Sequence, residues 1–272
     1  MIEKTICFIG AGNMTRSITS GLVKSGYNPQ LIHATNPSQP KLDELAQQLQ
    51  INISNDNLAA AEQSDVVVLC VKPHLMEQVC QQLSQLDMSN KLVITIAAGV
   101  TAKRYQDYFA QPIKLVRTMP NTPTQIGVGM TGLYADDSIS AADKHYVEQL
   151  MASGGEVVWV EQEDELNQVI ALAGSSPAYF FLMMEAMIDS AKQDGVDEKA
   201  ARALVQQAAM GAAAMVKQNP QLSAAQLREN VTSKGGTTAQ AIAAFEQADL
   251  RGIVRSAMHD CIARAEEMAK QY

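Results

Sequence analysis

Residues 6–14 read Ile6-Cys7-Phe8-Ile9-Gly10-Ala11-Gly12-Asn13-Met14. An apolar run stops at Gly10 and Gly12 and passes directly into residues with helical spacing, Ile18 and Leu22. The pattern predicts a strand, a tight turn and a helix. Gly10 permits the turn, Gly12 lets backbone approach a pyrophosphate, and the free N–H groups of the helix start face the anion. A dinucleotide site is therefore expected here, against the plainer reading of an ordinary strand–helix turn.

The departures from the full glycine pattern carry information. Thr15 stands at the third glycine position, which predicts slightly looser packing of helix on strand. An acid that binds a ribose is expected about 20 residues on, at the end of the second strand. That strand, Leu31–Ala34, runs out into Thr35-Asn36-Pro37-Ser38 without Asp or Glu. A carboxylate there would bind the 2′-hydroxyl of NAD and repel the 2′-phosphate of NADP, whereas small polar groups can donate to the phosphate. The sequence thus favours NADP(H), with NAD(H) as the alternative, although no arginine stands at that point.

The 272 residues suggest one or two domains with a sizeable core. A net charge of −8 argues against nucleic acid as a partner. Glu3-Lys4 interrupts the first apolar residues, so no secretory leader is expected, and no apolar run approaches the roughly 18 residues of a membrane span. The four cysteines are scattered without C-x-x-C spacing. Cys7 and Cys70 lie in apolar strand runs, which predicts buried reduced thiols and a cytoplasmic enzyme. The four histidines are far apart, so no metal site is expected.

Up to residue 161 strand and helix patterns alternate. The strand candidates are Ile6–Ile9, Leu31–Ala34, Val66–Val71, Leu92–Ala97, Ile113–Arg117, Gly129–Tyr134 and Val157–Val160, with helical patterns over 13–25, 40–50, 74–86, 101–109 and 140–153. Such alternation predicts a parallel, doubly wound α/β sheet. From residue 162 to 272 strand signals vanish. Helices are expected over 164–192, interrupted at Ser175-Ser176-Pro177, then over 197–218, after the capping box Ser223–Gln226, and over 238–247 and 250–270. The alanine-rich helix 197–218 permits close helix contact, and thin helices with many methionines and few aromatics make a poor core alone. They are expected to interleave with the same region of a second subunit, with Met183, Met184, Met187, Met210 and Met215 as packing.

In an open α/β sheet a ligand lies outside the carboxyl ends of the strands. There the chain carries Cys70-Val71-Lys72-Pro73, then Ile96-Ala97-Ala98-Gly99-Val100, then Arg117-Thr118-Met119-Pro120-Asn121-Thr122-Pro123. Ala97, Ala98 and Gly99 leave room for a flat ring. Lys72 is read as a cofactor-side residue or as a solvated lysine, and Asn121 as satisfying loop backbone or touching the nicotinamide side. A second glycine–hydroxyl segment, Asn230-Val231-Thr232-Ser233-Lys234-Gly235-Gly236-Thr237-Thr238, opens a helix and predicts either a nest for a substrate carboxylate or a well-capped loop. No nucleophile, general acid or metal triad is evident. Hydride transfer to an already electrophilic imine requires mainly positioning.

Taken in order, Phe8–Met14, Val71–Pro73, Ala97–Thr101, Met119–Pro123, Gly174–Tyr179 and Val231–Thr238 resemble the pyrroline-5-carboxylate reductase family over nearly the whole chain. The resemblance implies a Rossmann-type domain over 1–161 and an all-helical dimerisation and substrate-binding domain over 162–272. It implies an interlocked homodimer, often assembled into decamers, and NAD(P)H-dependent reduction of 1-pyrroline-5-carboxylate to L-proline, the last step of proline biosynthesis. By position, Ile9, Gly10, Ala11, Gly12, Asn13 and Met14 are expected at the pyrophosphate, and Asn36, Ser38 and Asn57 near the adenosine ribose and its phosphate. Cys70, Val71, Lys72, Pro73, Ala97, Ala98 and Gly99 are expected to line the cofactor further along, and Asn230 to touch it from the partner subunit. Ser233, Lys234, Gly235, Gly236 and Thr237 are expected at the substrate carboxylate, with the Thr238 hydroxyl on the ring nitrogen as the catalytic contact. Glu163 falls where the family places an acid near the substrate.

The chain departs from the family in having Thr15 for alanine, Ser176 for glycine and Lys234 for proline. Lys234 is expected to add attraction for the carboxylate or to shift preference towards a related imino acid, such as a piperideine carboxylate. The β-hydroxyacid dehydrogenases share the plan but require a lysine early in the helical domain, where this chain has Gly174–Pro177 and no lysine before Lys192. A catalytically inactive NADP-binding paralogue is the non-enzymatic alternative, opposed by the intact Gly-Gly-Thr-Thr segment.

Overall fold

The computed structural model describes residues 3–271; Met1, Ile2 and Tyr272, which end the two expected domains, lie outside the described residues. The first part builds β1 (Ile6–Ile9), α1 (Asn13–Lys24), β2 (Ile32–Thr35), α2 (Gln39–Leu49), β3 (Asn52–Ser54), α3 (Asn57–Glu62), β4 (Val66–Leu69), α4 (Pro73–Leu83), β5 (Leu92–Thr95), α5 (Ala102–Phe109), β6 (Lys114–Met119), β7 (Gly129–Tyr134), α6 (Ala141–Ala152) and β8 (Gly155–Trp159). The strands form one sheet in the order β3-β2-β1-β4-β5-β6-β7-β8.

Each strand's two-residue period divides its side chains between two cores. Ile6, Phe8, Val66 and Val68 face a cluster with Ile18, Leu22, Leu42 and Leu150, while Cys7, Ile9, Val67 and Leu69 face Met76, Leu83, Tyr105 and Phe109. Strands covered on both faces read as continuous apolar runs, which is why they were legible in the sequence.

The sheet departs from the expected topology at one place. β6 and β7 pair antiparallel, whereas the other neighbours run parallel. Residues 120–128 hold only a 3-10 turn, Thr122–Ile126, too little for the crossover that parallel neighbours require. The strand β3 and the helix α3 escaped the pattern because three-residue Asn52–Ser54 and six-residue Asn57–Glu62 are too short to show a period. Strand ends also shift: β4 stops at Leu69 and β6 reaches Met119.

The remaining chain is helical: α7 (Leu166–Val169), a wide π turn over Ile170–Gly174, α8 (Ser176–Gln193), α9 (Glu198–Gln218), α10 (Ala224–Asn230), α11 (Thr237–Gln247) and α12 (Leu250–Gln271). Packing divides the chain differently from its texture. One compact unit comprises 1–177 with 260–272, the other 178–259. The helical residues after 162 join the sheet unit because Leu166, Val169 and Ile170 bury against Met119 and Ala265.

Within the second unit, Ala201 and Val205 are buried among the described residues, while Phe180, Phe181, Leu182, Leu204 and Met210 are each more than 60% exposed. A helical unit with so small a core of its own presents apolar surface that water disfavours. The helical stretch Glu163–Gln193 is, by length and composition, apolar enough to cross a membrane. Small and weakly polar residues interrupt its apolar runs without lowering the average hydropathy much, so a search for unbroken runs passes over it.

Candidate active site

The turn after β1 is shaped by contact. Gly10 has φ +108°, and a Cβ there would stand 2.8 Å from the Cys70 carbonyl oxygen, so only glycine fits both the backbone and the space. Its N–H donates to the Thr35 carbonyl at 2.9 Å, while Cys70 N donates to Ile9 O at 2.9 Å, carrying both ladders past the strand ends. Gly12 precedes α1 with open space where a side chain would be. The helix has no side-chain cap and no acid in its first turn, leaving N–H groups and the positive end of the helix dipole for an anion. These features fit a pyrophosphate.

Thr15 does not loosen this packing. It is fully buried, and its hydroxyl donates to the Gly10 carbonyl at 2.6 Å. The hydroxyl fills the space a glycine would leave and satisfies an acceptor at the turn. Cys70 lies beside it. Burial pushes the Cys70 thiol up to about 12, opposed by its hydrogen bond with Thr15, although the residue keeps some surface.

Beyond β2 the polar residues interlock. The Ala11 N–H donates to Asn36 Oδ1 at 3.3 Å, and Asn36 Nδ2 donates to Ser38 O at 3.4 Å. The Thr35 hydroxyl donates to Asn57 Oδ1 at 2.6 Å, and Asn57 Nδ2 donates to Gln82 Oε1 at 3.1 Å. Asn36 therefore ties the glycine turn to the loop where the ribose is expected, and Asn57 props that loop from α3. Ser38 sits at the N-cap of α2 without bonding the helix through its side chain. Arg16, on α1, makes a two-pronged ion pair with Glu44 of α2.

At the next strand ends, Lys72 is exposed at the N-cap of α4, with Val71 and Pro73 partly buried around it. Ala97 and Gly99 are buried and Ala98 partly so. Asn121 is 8% exposed, and both ends of its amide are occupied: Oδ1 accepts from Met130 N at 2.9 Å, and Nδ2 donates to Ala173 O at 3.0 Å. Of its two sequence readings, the geometry matches the one that satisfies loop backbone. Glu163 accepts from Ala102 N at 2.5 Å and from Arg117 Nη1 at 2.6 Å through the same oxygen. Arg117, buried within β6, was missed because an arginine read at a strand end looks like solvated surface until its partner is seen.

The second unit carries its own glycine turn. Gly235 has φ +74°, and Gly236 donates to Ser233 O at 3.0 Å. Gly236 is also the N-cap of α11, again without a side-chain cap or an acid in the first turn. Asn230 ends α10, and Asn230, Ser233, Lys234, Gly235, Thr237 and Thr238 are exposed. Open N–H groups, three exposed hydroxyl residues and the exposed Lys234 thus lie at or beside one helix start, a combination suited to a carboxylate.

Comparison with known proteins supports this architecture. Residues 163–268 match the family described as "Pyrroline-5-carboxylate reductase dimerisation", and residues 5–99 the one described as "NADP oxidoreductase coenzyme F420-dependent". The chain is 53% identical to the pyrroline-5-carboxylate reductase of Vibrio alginolyticus over the full length of both. It superposes on the structure of such a reductase from Coxiella burnetii with a TM-score of 0.91 at 40% identity, covering 98% of each chain. The Plasmodium falciparum pyrroline carboxylate reductase, solved with NADP bound, gives 0.89 at 25% identity over 99% of each chain. The apolar helical unit, with its small core, falls inside a dimerisation module, so the chain forms homo-oligomers. By full-length identity and by fold, the chain belongs to the pyrroline-5-carboxylate reductase family.

Proposed function

We propose that this chain reduces 1-pyrroline-5-carboxylate to L-proline by hydride transfer to the C=N carbon, with NADPH preferred over NADH. The observation that carries the reading is the presence, within one full-length family match, of two uncapped glycine-led helix starts, at Gly12 and at Gly236. Each suits one anionic group of the reaction.

Bound NAD(P)H supplies the hydride. Ile9–Met14 hold its pyrophosphate, with Ile9–Ala11 shaping the turn and the open N–H groups at the start of α1 facing the anion, Asn36 and Ser38 meet the adenosine end with Asn57 behind them, and Cys70–Pro73 with Ala97–Gly99 line the remainder. Asn121 shapes that wall through the backbone, and Asn230 reaches the cofactor from the partner subunit. The Ser233–Gly236 loop and Thr237 receive the substrate carboxylate. The Thr238 hydroxyl hydrogen-bonds the ring nitrogen, which carries the proton that makes the imine carbon electrophilic. Positioning accounts for most of the rate, so no acid or metal is required. The enzyme works in the cytoplasm as an interlocked dimer that assembles into decamers.

The absence of an acid after β2 supports the NADPH preference, since a carboxylate there would repel the 2′-phosphate. The test is oxidation of NADPH and NADH by the purified protein with 1-pyrroline-5-carboxylate, followed by nicotinamide absorbance. Faster turnover with NADPH is expected, and no turnover with either cofactor would overturn the reading. Lys234 is exposed at the substrate loop, and its ammonium adds to carboxylate attraction. Lys234→Pro is expected to raise KM for the imine by about three- to tenfold with kcat little changed. An unchanged KM would remove Lys234 from substrate binding.

A further inference from the structure

The turn between β5 and α5, residues 96–101, which the proposed function assigns to the nicotinamide half, is held from three sides. At its start the Ala97 N–H donates to Thr95 Oγ1 at 3.3 Å, and that hydroxyl is also bonded to the Tyr105 hydroxyl at 2.5 Å. In its middle Gly99, with φ +75°, lies beneath α12, where a Cβ would stand 2.6 Å from Met268 Cβ. At its end the N–H of Ala102, the first residue of α5, donates to Glu163 at 2.5 Å. Glu163 is itself anchored by Arg117, whose side chain is only 8% exposed and which donates to the same carboxylate oxygen at 2.6 Å.

We propose that the Arg117–Glu163 pair is a latch that positions the β5–α5 turn for the nicotinamide half of the cofactor; this rests on the dinucleotide reading of the crevice. Arg117 and Glu163 are positioning residues. A buried guanidinium needs a fixed carboxylate, and that carboxylate in turn fixes a backbone N–H at the turn's end. The pair joins β6, α5 and the chain entering α7 at one oxygen atom. Loss of the latch leaves the adenosine end untouched, because that end is held by Asn36 and Asn57 at the β2 side of the sheet. Displacement of a ring wall by about 1 Å is enough to cost up to about a hundredfold in rate.

The test uses full-length protein carrying Glu163→Ala, Glu163→Gln or Arg117→Lys. It compares binding of NADPH with binding of adenosine 2′,5′-bisphosphate, which contains only the adenosine half. For Glu163→Ala, NADPH binding is expected to weaken about tenfold or more and kcat to fall. Bisphosphate binding and KM for the imine are expected to stay within about twofold. Glu163→Gln, which keeps an acceptor for the Ala102 N–H, is expected to recover much of the loss, and Arg117→Lys, which keeps the charge without the planar guanidinium, to fall between. A raised KM for the imine with NADPH binding unchanged would overturn the latch and make Glu163 a substrate contact. Equal loss of NADPH and bisphosphate binding would also overturn it, as general destabilisation. Failure of the unaltered protein to bind either ligand would instead overturn the dinucleotide reading itself.

Discussion

Two residues at the first turn show how much a single atom decides. Gly10 is required twice over, by its positive φ and by the carbonyl of Cys70. Gly10→Ala is expected to cost about 1–3 kcal/mol and to abolish measurable NADPH binding, read by thermal unfolding and by a binding titration. Thr15 was legible as a departure from the glycine pattern, but its consequence was not. Its hydrogen bond to the Gly10 carbonyl depends on a rotamer and a buried site that spacing does not encode. Thr15→Ala, which restores the family's usual residue, is expected to lower stability by about 1 kcal/mol, measured by denaturant unfolding. An unchanged midpoint would mean that the hydroxyl contributes nothing to the turn. Asn121 and Glu163 illustrate the same limit, since their sequence positions drew attention while their partners came from distant parts of the chain.

Among the elements, the central strands β1, β4 and β5 were readable because burial on both faces makes them continuous apolar runs. Their ends were not, because a strand stops where its neighbour stops. The β6–β7 reversal follows from a connection too short to cross over, and the period of two is indifferent to direction. The buried strand β1 and helix α4 also carry a pH signature. Burial pushes the thiols of Cys7 and Cys80 from 9.0 up to about 12. A raised folded-state pKa means that the unfolded chain loses its protons first. Stability from these groups is therefore complete below about pH 9 and falls as pH rises from there towards 12. Each thiol contributes a slope of up to about 1.4 kcal/mol per pH unit. Urea unfolding midpoints followed from pH 8 to 11 in about one-unit steps are expected to drop in the unaltered protein and to drop less steeply in Cys7→Ala or Cys80→Ala.

At the scale of the whole molecule, the helical unit is the informative part. Its exposed Phe180, Phe181, Leu182 and Leu204 have few buried companions within the unit, and the family module it matches is one of dimerisation. Its stability is thus tied to association, and its thermal midpoint is expected to rise with protein concentration. Leu204→Glu places a charge on a surface that is 68% exposed in the single chain. It is expected to reduce the oligomer observed by light scattering; an intact oligomer would place Leu204 outside the interface.

The order of the longer elements, the two glycine-led turns and the apolar character of the helical half were determined by the sequence alone, because each depends on residue type and on spacing within a few positions. The tertiary structure alone decided the reversal at β6–β7, the wide turn before α8, the hydrogen bond of Thr15 and the meeting of Arg117 with Glu163 at the Ala102 N–H. These rest on contacts between residues far apart in the chain. Their energies depend on burial and on distances of a few tenths of an ångström, quantities that exist only after the chain has folded.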